Sequence, residues 1–430
     1  MSLNRIIVVL VVLITGIFFA ATESFAEKPG KCSPWPECKD DGGDPPPPPT
    51  GCTDTFPGFL YQVEATRKLP AELHLASTDG CRTEPIAILP EFRHGFAFHM
   101  TSDRSKGVIV WREEPDNNNS KIVRRLDFTV DESGNLDFGQ PVMILPLVGE
   151  EAPQGDWLGY NSLDIWGDAT HDSLYLVTKR NRTFGPDINS GAGSLETLVY
   201  DLNALTDTDA SPDVREIYYE DTVSWGGIPD WLDAVELDCN SVSVFFPQFV
   251  PSCYRPEEIR FNPSGTRIYI EGKLFLADGR REYSVMRINI DSSGGPDLAD
   301  WTITGPEMVY VDGPRNARPR PDNDPLQLPL PEIVIASGQF LNADECAEDY
   351  AFYADGNNEP LLSIWPECIV PSLLAGGNAR SWESPDSYLF DRLAPQGRGR
   401  YNIYRIYVSG ALAGTEVLLI ETARFADTGQ

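Results

Sequence analysis

The sequence has little that would build helices. No sustained apolar repeat occurs at helical spacing, and 36 prolines with 36 glycines interrupt the 430 residues too often for long helices. Short runs of β-branched and aromatic residues between turn signals take their place. The sequence therefore predicts an all-β protein.

Several catalytic and metal-binding signatures are also missing. The chain has no G-x-S-x-G nucleophile elbow, no H-E-x-x-H helix and no C-x-x-C pair. Of its four histidines, His94, His99 and His171 fall near predicted inner strands or turns. A metal held there is the lesser alternative to structural, hydrogen-bonded roles. We predict no cofactor and no metal, and a serine hydrolase is disfavoured.

Positive charge is scarce. The chain has 34 Lys and Arg against 65 Asp and Glu, a formal net charge of −31. Nucleic-acid binding needs clustered basic residues and is therefore not expected, and docking on anionic lipid is disfavoured. A solubility charge on an extracytoplasmic protein is favoured over specific cation binding.

The N-terminus carries the only long apolar run. Arg5 precedes the apolar residues Ile6–Ala20, and Ser24–Ala26 forms a small-residue cleavage site. Residues 1–26 are therefore predicted to be a signal peptide, with an uncleaved anchor as the alternative. No later run could span a membrane, so stable membrane insertion is not expected and the mature protein should be periplasmic or secreted. Residues 27–56, with Pro45–Pro49, are predicted to be a proline-rich linker.

The eight cysteines of an exported chain are expected to form disulfides. Eight cysteines allow 105 pairings, so the sequence cannot fix the connectivity. Near neighbours are the simplest partners: Cys32 with Cys38, Cys52 with Cys81, Cys239 with Cys253, and Cys346 with Cys368.

The clearest structural unit is the stretch Pro256–Asp291. Asn262–Gly265 supplies a tight turn, because Pro presets φ and Gly accepts a positive φ. Arg267–Ile270 and Tyr283–Ile290 follow as strands. The unit resembles the WD40-like repeat of TolB-type β-propellers, which implies a ring of four-stranded blades.

Weaker copies of this unit recur along residues 57–430. Four lie near Ala71–Gly80, Gly95–Gly134, Ser162–Leu202 and Ser381–Ile420, and a degenerate one lies within Glu332–Ile369. With the clearest unit they predict a single β-propeller of six four-stranded blades, with five or seven as alternatives. Their spacing is wider than the ~40–50 residues usual for propeller repeats, which requires long insertions.

The two ends of this region complement each other. Arg424–Gly429 repeats the pattern of Arg260–Gly265, the first half of a unit, whereas the sequence from Phe59 begins with a second half. We therefore predict that one blade is built from both ends and closes the ring, which removes an exposed sheet edge. Phe425 should then be buried like Phe261.

Two insertions, at 221–255 and 311–376, are candidates for binding. A long loop over a propeller face, stiffened by a disulfide, suits recognition of a protein or glycan partner. Packing of the loop onto the blades is an equal alternative. The candidate binding residues of the first insertion are Trp225, Trp231, Phe245, Phe246, Phe249 and Tyr254.

Acidic residues offer two further hypotheses. Asp164 and Asp168 flank Trp166, and Asp230 and Asp233 flank Trp231, which would suit a sugar site in a polysaccharide-active lyase or hydrolase. The stronger alternative is that most of these aspartates cap turns. The Asp-rich turns Asp207–Asp209 and Asp355–Asn357 are candidate Ca²⁺ sites, although neither is an EF-hand loop.

Three functions stay open at this point. The sequence favours a binding or scaffold protein, with the polysaccharide-active enzyme second and a structural envelope component third. The fold does not choose among them.

Overall fold

The structure, a computed structural model, describes part of the chain. The predicted signal peptide and nearly all of the linker lie outside the described part. The described residues are 55–63, 72–86, 95–113, 121–150, 157–183, 193–221, 254–275, 281–311, 315–319, 333–338, 348–353, 362–363, 378–384, 386–393, 401–407, 412 and 415–429.

The described residues form 25 strands and one short 3-10 helix, Leu298–Asp300. The strands make six antiparallel sheets, five of four strands and one of five. The first three sheets contain β25 (Ala423–Asp427) with β1 (Phe59–Val63), β2 (Glu72–Ala76) and β3 (Thr83–Pro85); β4 (Phe96–Met100), β5 (Lys106–Glu113), β6 (Ile122–Val130), β7 (Leu136–Phe138) and β8 (Val142–Leu145); and β9 (Trp157–Asp168), β10 (Ser173–Thr183), β11 (Gly193–Asp201) and β12 (Val214–Asp221).

The other three sheets follow in chain order and complete the six predicted blades. They contain β13 (Tyr254–Phe261), β14 (Arg267–Phe275), β15 (Arg281–Asp291) and β16 (Thr302–Val311); β17 (Arg315–Pro319), β18 (Ile333–Gly338), β19 (Glu348–Tyr353) and β20 (Leu362–Ser363); and β21 (Asn378–Ser384), β22 (Ser387–Leu393), β23 (Tyr401–Tyr407) and β24 (Glu416–Ile420).

The extra strand of the second sheet is not an extra layer. β7 pairs with the end of β6, at Phe128–Val130, and β8 pairs with its beginning, at Val123–Arg125. The two short strands therefore share one outer edge, and this blade also has four layers.

The sheets close into a ring through their innermost strands. β4 contacts β9, β9 contacts β13, β13 contacts β17, β17 contacts β21, and β21 contacts β25. The last step returns to β4, because the Phe98 backbone N–H donates to Asp427 Oδ2 at 3.2 Å. The predicted β-propeller is thus confirmed, as is its closure by N- and C-terminal strands.

The closing blade takes one strand from the C-terminal region and three from the N-terminal region. β25 pairs antiparallel with β1, with Val63 opposite Ala423 and Leu60 opposite Asp427. The prediction for Phe425 is wrong, because this residue is only partly buried, whereas Phe261 is 6% exposed. Phe425 has φ of 59°, which breaks the strand alternation, so Ala423 and Ala426 face the core instead.

Apolar side chains fill the spaces between blades. The third and fourth blades share a large cluster of buried residues, which includes Trp166, Tyr175, Phe261 and Trp301. Trp166 stacks on Tyr175 with ring centroids 5.3 Å apart, and its indole N–H donates to the Pro263 carbonyl at 3.2 Å. Packing of whole blade faces supplies the main stabilisation.

Strand order gives the ring two unlike faces. The first and second strands of a blade, and the third and fourth, are joined at one end, which we call the hairpin face. The second and third strands, and successive blades, are joined at the opposite end, the connection face. Many hairpin-face turns are closed by an aspartate that accepts a backbone N–H two residues ahead. These aspartates are Asp79, Asp103, Asp131, Asp168, Asp201, Asp207 and Asp291.

The two predicted insertions differ in outcome. Segment 311–376 contains the complete sheet β17–β20, which confirms the degenerate unit and shows that a blade occupies most of what was predicted as an insertion. Segment 221–255 joins β12 to β13, and residues 222–253 lie outside the described part. In the part of the chain that is described, no helix is long and apolar enough to cross a membrane.

Candidate functional site

The predicted aromatic binding residues are placed only by the strands around them. Five of them, Trp225, Trp231, Phe245, Phe246 and Phe249, lie outside the described residues. Tyr254 is the first residue of β13, so it belongs to a strand and not to the loop. Because β12 ends and β13 begins at the connection face, the segment between them is attached to that face at both ends.

The proposed sugar site around Trp166 is wrong. The Trp166 side chain is 6% exposed and packed between blades, so its ring cannot stack on a sugar. Asp168 caps a hairpin turn through the Thr170 N–H, at 2.9 Å, whereas Asp164 points to the neighbouring blade. The corresponding group of Asp230, Trp231 and Asp233 lies outside the described residues.

Three aspartates join neighbouring blades near the axis. Each accepts a hydrogen bond from a backbone N–H in the innermost strand of the next blade: Asp164 from Phe261 at 2.7 Å, Asp427 from Phe98 at 3.2 Å, and Asp391 from Phe425 at 3.0 Å. Charge-assisted bonds of this kind are roughly twice as strong as neutral ones. They fix the register of one blade against the next.

Two of these aspartates belong to a charged group that we call the axial acidic cluster, defined as Asp164, Glu258, Arg260 and Asp427. Arg260 Nη1 lies 3.2 Å from Asp164 Oδ1 and also donates to the Leu163 carbonyl at 3.2 Å. Arg260 Nη2 lies 3.9 Å from Glu258 Oε2. Arg260 thus contacts two carboxyl groups, and the carboxylate of Asp427, also on an innermost strand, acts on it electrostatically.

The electrostatics of this cluster are unusual for a structural ion pair. Burial raises the pKa of Asp164 to about 6; Arg260 opposes this shift, and the Asp427 carboxylate adds to it. Burial lowers the pKa of Arg260, but the neighbouring carboxylates outweigh it and hold that pKa above its usual value. Arg260 therefore stays charged while Asp164 titrates near pH 6.

Replacing Asp164 by Asn should change how stability depends on pH. The folded-state pKa of about 6 lies above the ordinary value of 3.8, so this group stabilises the fold most below pH 4. That contribution is lost as the pH rises through 6, and about two pKa units correspond to ~3 kcal/mol. Urea unfolding at pH 4 and at pH 7 measures this effect. Between these two pH values, the free energy of unfolding of Asp164→Asn should rise by up to that amount relative to that of the unmodified chain.

Asp168 provides the matched control for this measurement. Burial raises the Asp168 pKa, but hydrogen bonds from His171 and Thr170 outweigh burial and hold it below its usual value. The stability that Asp168 contributes is present at neutral pH and is lost on acidification, so Asp168→Asn should shift the profile in the opposite direction. If the free energies of unfolding of the two variants depended on pH in the same way, the raised pKa of Asp164 would be contradicted.

The described histidines lie apart from one another. His74 Nε2 is 3.2 Å from Glu72 Oε2, and His171 Nδ1 is 2.6 Å from Asp168 Oδ2 on an exposed hairpin. His99 packs against Gly167 of the next blade, and burial lowers its pKa to about 4. It is therefore neutral at physiological pH. His94 lies outside the described residues.

Only some of the residues in the metal and disulfide predictions belong to the described part of the chain. Within the described residues, no group of three or more His, Cys, Asp or Glu side chains could hold a metal ion. The carboxylate of Asp207 accepts the Asp209 N–H at 2.9 Å, and Asp355–Asn357 lies outside the described part. Cys81 is disulfide-bonded. The other seven cysteines lie outside the described residues, so the pairing with Cys52 stays a prediction.

A second buried ionic group links the third blade to Glu150, which lies after β8 on the connection face. Arg180 Nη1 donates to Glu150 Oε1 at 2.6 Å and its Nε donates to Glu196, while the Tyr160 hydroxyl donates to Glu150 Oε2 at 3.1 Å. Burial raises the pKa of Tyr160, which keeps the phenol neutral. This group holds Glu150, the last described residue before the connection to β9, against the third blade.

The sequence reading missed Glu258, Arg260 and Asp427 as a group. One signal was available, because Arg260 stands between the apolar residues Ile259 and Phe261, which are both buried. A charged residue in such a position requires a partner. Its partners come from three blades, so only the closed ring brings them together.

Comparisons with known proteins do not identify a family. No protein-family model matches the chain, and no curated protein matches it. Solved structures with similar architecture include a RAG complex with one melted and one unmelted RSS (TM-score 0.40, 11% identity, 83% of this chain and 96% of that one). The Trypanosoma rangeli sialidase has a TM-score of 0.39 and 10% identity over 84% of this chain, and this chain covers 53% of it.

The periplasmic gluconolactonase of Pseudomonas aeruginosa has a TM-score of 0.36 and 10% identity, over 86% of this chain and 98% of that one. The fold assignment rests on the sheet topology and not on these likenesses.

Proposed function

We propose that this chain is an extracytoplasmic β-propeller that binds a protein or glycan partner on its connection face. The signal-like N-terminus, with Arg5 and the apolar Ile6–Ala20, supports export. Net charge favours a partner other than nucleic acid.

The observation that carries the proposal is the attachment of segment 222–253. This segment leaves the outermost strand of the third blade, β12, and enters the innermost strand of the fourth, β13. The described residues on either side of it therefore lie at the rim and at the axis of the connection face. The segment contains five large aromatic residues, a type enriched in the cores of protein interfaces: Trp225, Trp231, Phe245, Phe246 and Phe249.

Replacing all five aromatic residues by Ser is expected to weaken binding strongly. The control replaces Val214 and Leu412 by Ser. These two residues are 42% and 50% exposed and lie at the hairpin-face ends of their blades. Both proteins and the unmodified chain are applied to an array of neutral and acidic glycans and cross-linked to the surface proteins of the producing cells. Loss of ~10-fold or more in affinity is expected for the loop variant alone.

Two results would contradict this proposal. One is an unmodified chain that binds no glycan and cross-links to no surface protein. The other is an equal loss of binding in the loop variant and in the hairpin-face control, since that would place the site elsewhere.

A polysaccharide-active enzyme is the second candidate. It is favoured by the pKa of Asp164, which burial raises to about 6, a value suited to a general acid in glycoside cleavage. The enzyme ranks second because both oxygens of the Asp164 carboxylate already accept hydrogen bonds from the fourth blade. Release of reducing ends or unsaturated sugars from a polysaccharide panel, lost in Asp164→Asn but kept in Asp168→Asn, would favour it.

A further inference from the structure

One turn on the hairpin face joins the closing blade to both of its neighbours. This turn, at residues 77–82, connects β2 to β3. On one side, the guanidinium of Arg405 in the sixth blade donates to the Thr78 carbonyl. On the other side, Arg82 Nη2 donates to the Gly134 carbonyl of the second blade at 2.8 Å. The turn therefore lies where the ring closes.

The chain enters the ring beside the same turn. Residues 55–58 lead into β1 at the hairpin face, and the Thr55 carbonyl accepts the Thr78 N–H at 3.0 Å. The Pro57 carbonyl accepts a hydrogen bond from Arg104 of the second blade. These two short segments bind each other and the neighbouring blades, and we call them the closure node, defined as residues 55–58 and 77–82.

A disulfide is attached to the closure node. Cys81 is disulfide-bonded and exposed. It lies three residues after Thr78, and Cys52 lies three residues before Thr55, the residue that accepts the Thr78 N–H. Three residues span at most about 10 Å, so Cys52 can reach the Cα separation of about 5.5–6 Å that a disulfide requires.

Two of the other cysteines are attached to the opposite face. Cys253 stands directly before Tyr254, the first residue of β13, and Cys346 stands two positions before Glu348, the first residue of β19. Both strands begin at the connection face. β13 has eight residues, and a strand of that length spans about 26 Å. A bond from either cysteine to Cys81 would have to cross the height of the ring.

We propose that Cys52 and Cys81 are joined and that their disulfide is a redox-sensitive clasp on ring closure. While the bond is intact, it holds the two segments of the closure node together. A dithiol reductant transfers two electrons to the bond, which becomes two thiols, and the reductant is oxidised to its own disulfide. The ring is therefore fully fastened only in an oxidising compartment. This device lies on the hairpin face and goes beyond the binding function proposed for the connection face.

Peptide mapping of the unreduced full chain tests the pairing. Proteolysis without reduction, followed by mass spectrometry, should yield two peptides linked through Cys52 and Cys81. A link from Cys81 to any other cysteine would overturn the proposal.

Amide hydrogen exchange tests the clasp itself. In the double variant Cys52→Ser/Cys81→Ser, the hydrogen-bonded amides of Thr78 and Gly80 should exchange about tenfold or more faster than in the unmodified chain. The amides of β13, on the far side of the ring, should keep their protection. The control variant Cys239→Ser/Cys253→Ser should leave the exchange of Thr78 and Gly80 unchanged.

Dithiothreitol gives a second route that needs no variant. The folded full chain treated with this dithiol should show the same faster exchange at Thr78 and Gly80, and the double variant should show no further change there. Unchanged exchange at these two amides, both on reduction and in the double variant, would overturn the proposal. An equal acceleration in the control variant would do so too, because the effect would then not come from the closure node.

Discussion

Removing Ala423–Gln430 is expected to unfold the propeller or leave it aggregated, which is the largest effect foreseen for any change in this chain. These residues include β25, which is the innermost strand of the first blade and pairs with β1 from the N-terminal region. Loss of an innermost strand opens the ring and leaves the inner edge of β1 unpaired, which invites aggregation.

Specific contacts account for the size of the loss. The deletion removes the Asp427 acceptor of the Phe98 N–H and the Thr428 hydroxyl, which donates to the Trp382 carbonyl at 2.5 Å. It also leaves the buried carboxylate of Asp391 without the Phe425 N–H. Buried polar groups that lose a partner cost about 1–3 kcal/mol each, and the total approaches the 5–15 kcal/mol by which typical domains are stable.

The measurement is thermal unfolding and solution size of the truncated chain beside the full-length chain. Deletion of Gln430 alone is the control, since ordinary tail trimming costs little. An unchanged melting temperature together with a monodisperse monomer would show that β25 does not close the ring.

Gly265→Ala should destabilise the fold by about 2–5 kcal/mol. Gly265 has φ of 70°, a conformation that costs other residues about 1–2 kcal/mol. A Cβ at this position would also overlap the ring of Trp166, which is held between Tyr175, Phe261 and Trp301. Overpacking in such a core adds about 1–3 kcal/mol.

Gly149→Ala separates the two causes. Gly149 has φ of 89°, but a Cβ there would meet no atom within 4 Å. It should therefore show only the conformational cost, about 1 kcal/mol. Urea unfolding of both variants measures the difference. Equal losses in the free energy of unfolding would mean that the overlap of the added Cβ with the Trp166 ring costs nothing.

Local turn chemistry explains why so much of the fold could be predicted from sequence. Asn262–Gly265 and the Asp-led turns fix where strands end, and β-branched runs such as Arg267–Ile270 fix what lies between them. The repeat at Arg424–Gly429 was enough to predict ring closure. It could not reveal the positive φ of Phe425, because that conformation depends on pairing with β1.

The candidate site was harder to predict because its members meet only between blades. Trp166 and Asp164 look like a sugar-binding pair in the sequence, but alternation along a strand does not tell which neighbour each side chain meets. In the ring, Trp166 is buried against Gly265 and Asp164 holds the backbone of Phe261. Arg260 and Asp427 are 167 positions apart in the numbering, and no local pattern links them.

Amide hydrogen exchange of β25 tests the central claim, a ring closed by the C-terminal strand, most directly. If β25 is the innermost strand of the first blade, the amides of Ala423–Thr428 should exchange as slowly as those of β4 and β13, over hours at neutral pH. Exchange of this strand within seconds, while β4 and β13 stay protected, would show that the ring is not closed there.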